Sequence, residues 1–391
     1  MLKTWRWFGK NDPITLPSLK QIGVEGIVTS LYHIQPGDVW AEDEIVNLNE
    51  FIKSQGLVWS VVESVPVAES IKYAGENRDE LIENFRQSII HLGKHGINTV
   101  CYNFMPVIDW IRTDLNRILP DGTSTLYFDK IRFGYFDINI LKREGAEKDF
   151  SEEELLKIKE LDKTISQKEK DDLIYTIIIK TQGFINRNIV GENQDPVDAF
   201  NSLLKLYRRI GKKQLRENLQ YFLEKTIPTA EEYGVKLCIH PDDPPFQVFG
   251  LPRIVSSEED IDWLLSAVDS PNNGLTFCAG SLSAGIHNNV PAMAARFARR
   301  TQFAHLRSTE VLENGDFLEA SHLEGRGRLI ETIRVFEKEN PGIPMRVDHG
   351  KLMLDDGDKN YNPGYSFLGR MFALAQVDGM MAVVKNEIQS K

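Results

Sequence analysis

Short apolar runs rich in β-branched and aromatic residues recur along the chain, with longer stretches between them that carry apolar residues three and four positions apart. Eight runs stand out: Trp5–Gly9, Gly26–Tyr32, Leu57–Glu63, Asn98–Phe104, Val235–His240, Gly274–Cys278, Gln302–Arg307 and Pro344–Asp348. Runs of this length bounded by turn signals predict buried strands, and the stretches between them predict helices. Glycine marks the helix ends at Gln55-Gly56, His95-Gly96 and Tyr233-Gly234, where it accepts the left-handed conformation that stops a helix. Strand and helix alternate throughout, and eight is the number at which parallel strand–helix units close on themselves. The expectation is an α/β protein, a (β/α)8 barrel, built as a single domain over residues 1–391.

One interval breaks the rhythm. Between the fourth and fifth runs lie about a hundred residues, far more than the crossover of such a unit needs. Residues 107–200 are therefore read as an insertion with structure of its own. Thr123–Asp137 alternates as a hairpin around Asp129-Lys130 would, and Ser151–Lys170 reads as one charge-dense helix opened by Ser151-Glu152-Glu153-Glu154. Long insertions in compact domains usually have a role, which favours a lid or subunit contact over a solvated decoration.

Composition narrows the function classes. The net charge of −11 disfavours a protein whose task is gripping phosphate backbones. No stretch is read as long and apolar enough to span a bilayer, and no signal-peptide pattern precedes Thr4-Trp5-Arg6-Trp7-Phe8, so a cytoplasmic location is expected. Cys101, Cys238 and Cys278 are an odd number in unrelated contexts, which suits free thiols or ligands better than a disulfide framework.

In a (β/α)8 barrel the chemistry sits at the C-terminal ends of the strands. The last four runs end in Cys238-Ile239-His240, Phe277-Cys278, Ala304-His305-Leu306-Arg307 and Arg346-Val347-Asp348-His349. His240, Cys278, His305 and Asp348 therefore arrive from consecutive strands at equivalent height. A single strand-end histidine is more often a hydrogen-bonded pocket residue, and a lone cysteine more often a small buried hydrophobe. Four ligand-type residues together point instead to a catalytic metal, since structural zinc sites use closely spaced Cys and His pairs. Imidazole, thiolate and carboxylate together suit Mn, Fe or Zn better than Mg or Ca. Cys238 lies a layer below His240 and is read as core filling.

The first four runs add Arg6, His33, Glu63 and Tyr102-Asn103, which makes the pocket polar. Arg6 and Arg307 are candidates to hold a substrate carboxylate through the guanidinium fork; an ion pair with Glu63 or Asp109 is an equal alternative. Asn103 is a further candidate for substrate contact. His91, His95 and His287 read as surface residues. Tyr365, in Asn362-Pro363-Gly364-Tyr365-Ser366 after the eighth strand, either points its hydroxyl at the site or packs the barrel top.

With these residues laid out, the chain resembles the mannonate dehydratases, members of the xylose-isomerase-like group of metal-dependent barrels. The resemblance is carried by Thr4-Trp5-Arg6-Trp7, Val58–Pro66, Thr99–Pro106, His240-Pro241-Asp242-Asp243-Pro244-Pro245, Phe303–Ser308, Asp348-His349-Gly350 and Asn362–Ser366, and covers nearly the whole chain. It implies an enzyme that dehydrates D-mannonate to 2-keto-3-deoxy-D-gluconate in hexuronate catabolism. It also implies Mn2+ or Fe2+ on His240, Cys278, His305 and Asp348, an acid/base pair of His349 and Tyr365, and a homodimer. Two positions depart from the family pattern: Val347 replaces a proline, and the Ser281–Asn289 loop fits loosely. Rival readings are a metal-dependent sugar isomerase on the same barrel, which Cys278 disfavours, an endonuclease of the same group, which the acidic composition disfavours, and a non-catalytic sugar-acid binder.

Overall fold

The computed structural model describes residues 1–183 and 194–390; residues 184–193 of the expected insertion lie outside the described residues. Eight parallel strands close into a barrel: β1 (Leu2–Arg6), β2 (Gly26–Thr29), β3 (Val58–Glu63), β4 (Thr99–Tyr102), β5 (Lys236–Ile239), β6 (Asn273–Cys278), β7 (Thr301–Leu306) and β8 (Pro344–Val347). Each overlaps its expected run. β1 begins three residues early because Leu2 pairs with Pro344 of β8, which closes the barrel. Inside, Val28, Val61, Cys101, Cys238 and Phe303 pack as one layer, the interdigitated filling expected where alternate strands point inward. Cys238 belongs to this layer, and its thiol donates to Val100 O at 3.4 Å.

The last helix, Phe367–Gln389, corrects one sequence reading: it is long and apolar enough to cross a membrane. Its buried side chains Ala373, Leu374, Val377 and Met381 belong to the main hydrophobic core, so its apolar length covers the barrel. A core helix meets the same requirement of length and composition as a span.

The excursion also differs in detail from its pattern. The hairpin is Asp114–Ile118 with Ser124–Phe128, turning at Gly122 (φ +81°). Asp129 is not its turn. Its carboxylate accepts from the Arg132 N–H at 2.8 Å and starts the helix Lys130–Tyr135. The charge-dense segment is two helices, Glu152–Thr164 and Gln167–Ile174, because Ser166 and Glu169 form a second capping box that restarts the chain after extended Ile165. The excursion runs on through the helix Pro196–Leu206, and the helix Lys212–Glu232 returns the chain to the barrel. Phe128, Phe133, Phe136 and Phe200 form a second hydrophobic core together with Phe249 of the loop after β5. Asp129→Ala is expected to destabilise the protein by about 1 kcal/mol, the usual worth of an N-cap. An unchanged urea midpoint would show that the Arg132 N–H is equally well served by water.

What fixes the excursion over the barrel is a strand-to-strand join. After β7 the loop forms a hairpin, Thr309–Val311 with Phe317–Glu319, and Phe317 and Leu318 pair with Phe128 and Tyr127 of the excursion. The resulting four-stranded sheet brings Glu319 and the segment around Arg112 to the mouth of the barrel.

Candidate active site

Strand register decides which strand-end residues meet. Cys278 lies opposite His305, and Arg346 beside it on the other flank. His240 follows β5 with its N–H bonded to Tyr102 O at 2.9 Å. As a result the ligand atoms of His240, Cys278 and His305 all lie within 4.8 Å of one another, and His240 Nε2 is 3.2 Å from His305 Nδ1. That separation is also what two metal–nitrogen bonds of roughly 2.0–2.1 Å produce at a shared ion.

The electrostatics agree with a cation at this point. Burial opposes ionisation of the Cys278 thiol, but Arg307 and His240 outweigh it and hold the group well below its ordinary value. Burial likewise opposes charge on His240, and Cys278 outweighs it, lifting the imidazole to about 10. A thiolate with two imidazoles is a donor set for a divalent transition ion rather than for Mg or Ca. The residues present fit such a metal.

Asp348 stands at the edge of the group. Its Oδ2 lies 3.8 Å from His305 Nδ1 and 2.9 Å from Arg307 Nε. Its Oδ1 accepts from the Tyr365 hydroxyl at 3.2 Å and is paired with Arg346. Burial raises the Asp348 carboxyl, but Arg346, His349 and Arg307 together hold it well below the usual range.

Above the donors, His349 and Tyr365 meet edge to face with ring centroids 5.3 Å apart. His349 Nδ1 is 3.0 Å from Glu319 Oε1, and Trp110 lies against its ring. A carboxylate accepts only, so this bond places a proton on Nδ1, and in the neutral ring Nε2 is then the nitrogen that carries the lone pair. Burial and Asp348 push the Tyr365 phenol up to about 12 against the pull of Arg6 and Arg346. Gly364, at φ +79°, keeps the chain clear of His349: a Cβ there would lie 2.9 Å from its Cδ2.

Arg6, Asn103, Arg307, His240, Asp348, His349 and Tyr365 line one cavity with about 460 Å³ of empty space. Cys278 and His305 are wholly buried. Arg6 donates to Glu63 Oε1 at 3.0 Å and to the Tyr365 hydroxyl at 3.1 Å, so the ion pair weighed from the sequence is present. Among the described residues its Nε has no hydrogen-bond partner. Arg307 pairs with Asp243, Glu319 and Asp348, not with Glu63 or Asp109. Gly280 makes room for it: a Cβ there would sit 2.2 Å from Arg307 Cγ. His33 is outside the site, exposed and paired with Glu44.

Several residues of the site were not singled out from the sequence. Glu319 joins His349, Arg307 and Arg112, and Arg112 in turn bonds Asp243 Oδ1 at 2.9 Å. Burial raises Glu319, but Arg307, His349 and Arg112 outweigh it and bring the carboxyl to about 2. Asp243 had a signal, the run of polar residues and prolines after His240. Arg112 and Glu319 had none, since both lie outside the barrel strands.

Comparison with known proteins agrees with this geometry. Residues 1–391 match the family described as D-mannonate dehydratase (UxuA). The mannonate dehydratase of Marinomonas sp. (strain MWYL1) is 44% identical over 99% of this chain and 100% of its own. That of Saccharophagus degradans is 42% identical over 97% of each. The crystal structure of mannonate dehydratase from Streptococcus suis serotype 2 superposes with a TM-score of 0.80 at 31% identity, covering 99% of this chain and 96% of that one. The chain belongs to the mannonate dehydratase family, hydro-lyases on a (β/α)8 barrel.

Proposed function

We propose that this protein removes water from D-mannonate to give 2-keto-3-deoxy-D-gluconate, a step of hexuronate catabolism. The reading takes one Mn2+ or Fe2+ per subunit, held by His240, Cys278, His305 and Asp348, and a homodimer acting in the cytoplasm. The observation that carries it is the juxtaposition of two proton-transfer groups, His349 and Tyr365, over a thiolate–imidazole donor cluster in one polar cavity. When bound, the divalent ion supplies Lewis acidity that eases removal of the proton beside the substrate carboxylate.

The protein's own groups divide the rest. His349, held at Nδ1 by Glu319, takes the C2 proton at Nε2. Tyr365, still protonated at neutral pH, delivers its proton to the C3 hydroxyl as it leaves. The C2–H bond breaks, its electron pair forms C2=C3, and C3–O breaks to release water. The enol so formed becomes the 2-keto acid by moving the hydroxyl proton to C3. Arg6 and Arg307 face the cavity and suit the substrate carboxylate, while Asn103 offers an amide to a hydroxyl.

Adding metals back to the chelator-stripped protein tests the reading. Keto-acid formation from D-mannonate is expected with Mn2+ or Fe2+ and not with Mg2+. No product with any metal, despite stoichiometric binding, would sink the substrate assignment. Equal turnover with Mg2+ would sink the assigned role of the thiolate.

A further inference from the structure

The cavity contains one acidic side chain that the described residues leave without a partner. Asp109 lines it, is 2% exposed, and accepts no hydrogen bond at either carboxylate oxygen. Among the described residues no lysine or arginine nitrogen forms an ion pair with Asp109, although Arg253 feels its charge and leaves Nε and Nη2 unbonded. Arg112 serves Asp243, Glu319 and its own chain at Ile111 O. Arg253 donates to Ile108 O at 3.3 Å and stands 3.8 Å from Asp242 Oδ1.

Asp109 is also held in place. Its N–H donates to Gln182 Oε1 at 3.3 Å, and Gln182 Nε2 donates to Trp110 O at 2.8 Å. Just upstream, Val107 is kept at φ +61°, a conformation unfavourable for a β-branched residue, with its N–H on Glu69 Oε2 at 3.0 Å. A buried carboxylate without a donor is costly, and one held rigidly at a cavity wall is what a site looks like when the ligand brings the donor.

We propose that Asp109 accepts a hydrogen bond from a hydroxyl at the end of the sugar acid remote from its carboxylate, and so sets the orientation and choice of substrate. The assignment rests on the dehydratase reading for the identity of the substrate. Its chemistry is one-sided. A carboxylate offers only acceptors, so the partner must be a donor, which every sugar hydroxyl is. The substrate carboxylate is repelled by Asp109 and drawn to Arg6 and Arg307, so the chain enters in one direction. Asp109 belongs to the excursion, which thereby supplies part of the substrate site.

The test compares D-mannonate with its 4-, 5- and 6-deoxy analogues in wild type, Asp109→Ala and Asp109→Asn. Wild type is expected to disfavour at least one analogue by on the order of 10²-fold in kcat/KM, the worth of one hydrogen bond to a charged group. Asp109→Ala is expected to lose a similar factor on D-mannonate and to treat that analogue and D-mannonate alike within about 3-fold. Asp109→Asn keeps the shape and one acceptor, should fall between, and carries the test if the alanine variant does not fold. An unchanged preference in both variants would overturn the assignment, as would an equal loss on every substrate, the mark of a structural role. A wild type inert toward D-mannonate would overturn the dehydratase reading and this assignment with it.

Discussion

His349→Asn is expected to lower kcat by roughly 10²- to 10⁴-fold, the range that a positioned acid or base contributes, with little change in thermal midpoint. Asparagine nearly matches the imidazole in reach toward Glu319 but has no group that takes a proton at neutral pH. Tyr365→Phe keeps the ring that packs against His349 and Phe8 and removes only the hydroxyl. A comparable loss is expected from it, because the phenol, held up at about 12, keeps its proton at neutral pH and faces the cavity that the donor cluster lines. The two losses should not add in the double variant, since each residue serves the same transition state. If both single variants turned over within a few-fold of wild type, the acid/base assignment would be wrong.

The second large effect concerns stability. Arg112, Asp243, Arg307 and Glu319 form a network in which every side chain is at most 3% exposed. Such a network is weak ground for stability in itself, because desolvation offsets attraction, but removing one member strands the others. Arg112→Met leaves Asp243 and Glu319 with Arg307 as their remaining arginine. It is expected to destabilise the fold by about 3–5 kcal/mol, read as a lowered urea midpoint. A shift under about 1 kcal/mol would place the two carboxylates in contact with water instead.

The same network has a pH signature. Glu319 has its carboxyl lowered from the ordinary 4.5 to about 2 in the folded protein. The unfolded chain therefore binds its proton first on acidification. The stability this group contributes is fully present above its ordinary value and is lost as pH falls from there toward about 2. Removing Arg112 should raise the lower limit of that window and shrink the stability lost across it.

How much of this was legible in the sequence depends on distance along the chain. Short apolar runs and helix-stopping glycines are local signals, and each of the eight barrel strands was readable from its own few residues. The barrel rule then placed His240, Cys278, His305 and Asp348 at strand ends; register sets Cys278 opposite His305, while Asp348 lies two residues beyond the Arg346 that pairs with His305. Within the excursion the same signals misled. Asp129 marks a turn or a helix cap with equal ease, and the capping box at Ser166 and Glu169 was hidden inside a continuous run of charge.

What the sequence by itself determined is the barrel, the order of its strands and the ligand-type residues at their ends, since these follow from local pattern and a single closure rule. Only the tertiary structure decided that Glu319 would hold His349, that Arg112 would brace Glu319, and that Asp109 would face the cavity with no hydrogen-bond donor among the described residues. Those contacts depend on the pairing of Phe317 and Leu318 with a hairpin that lies nearly two hundred residues earlier. No short-range periodicity records such a pairing. It is set by the burial of two separate apolar surfaces against each other, which is a property of the folded chain and not of either segment.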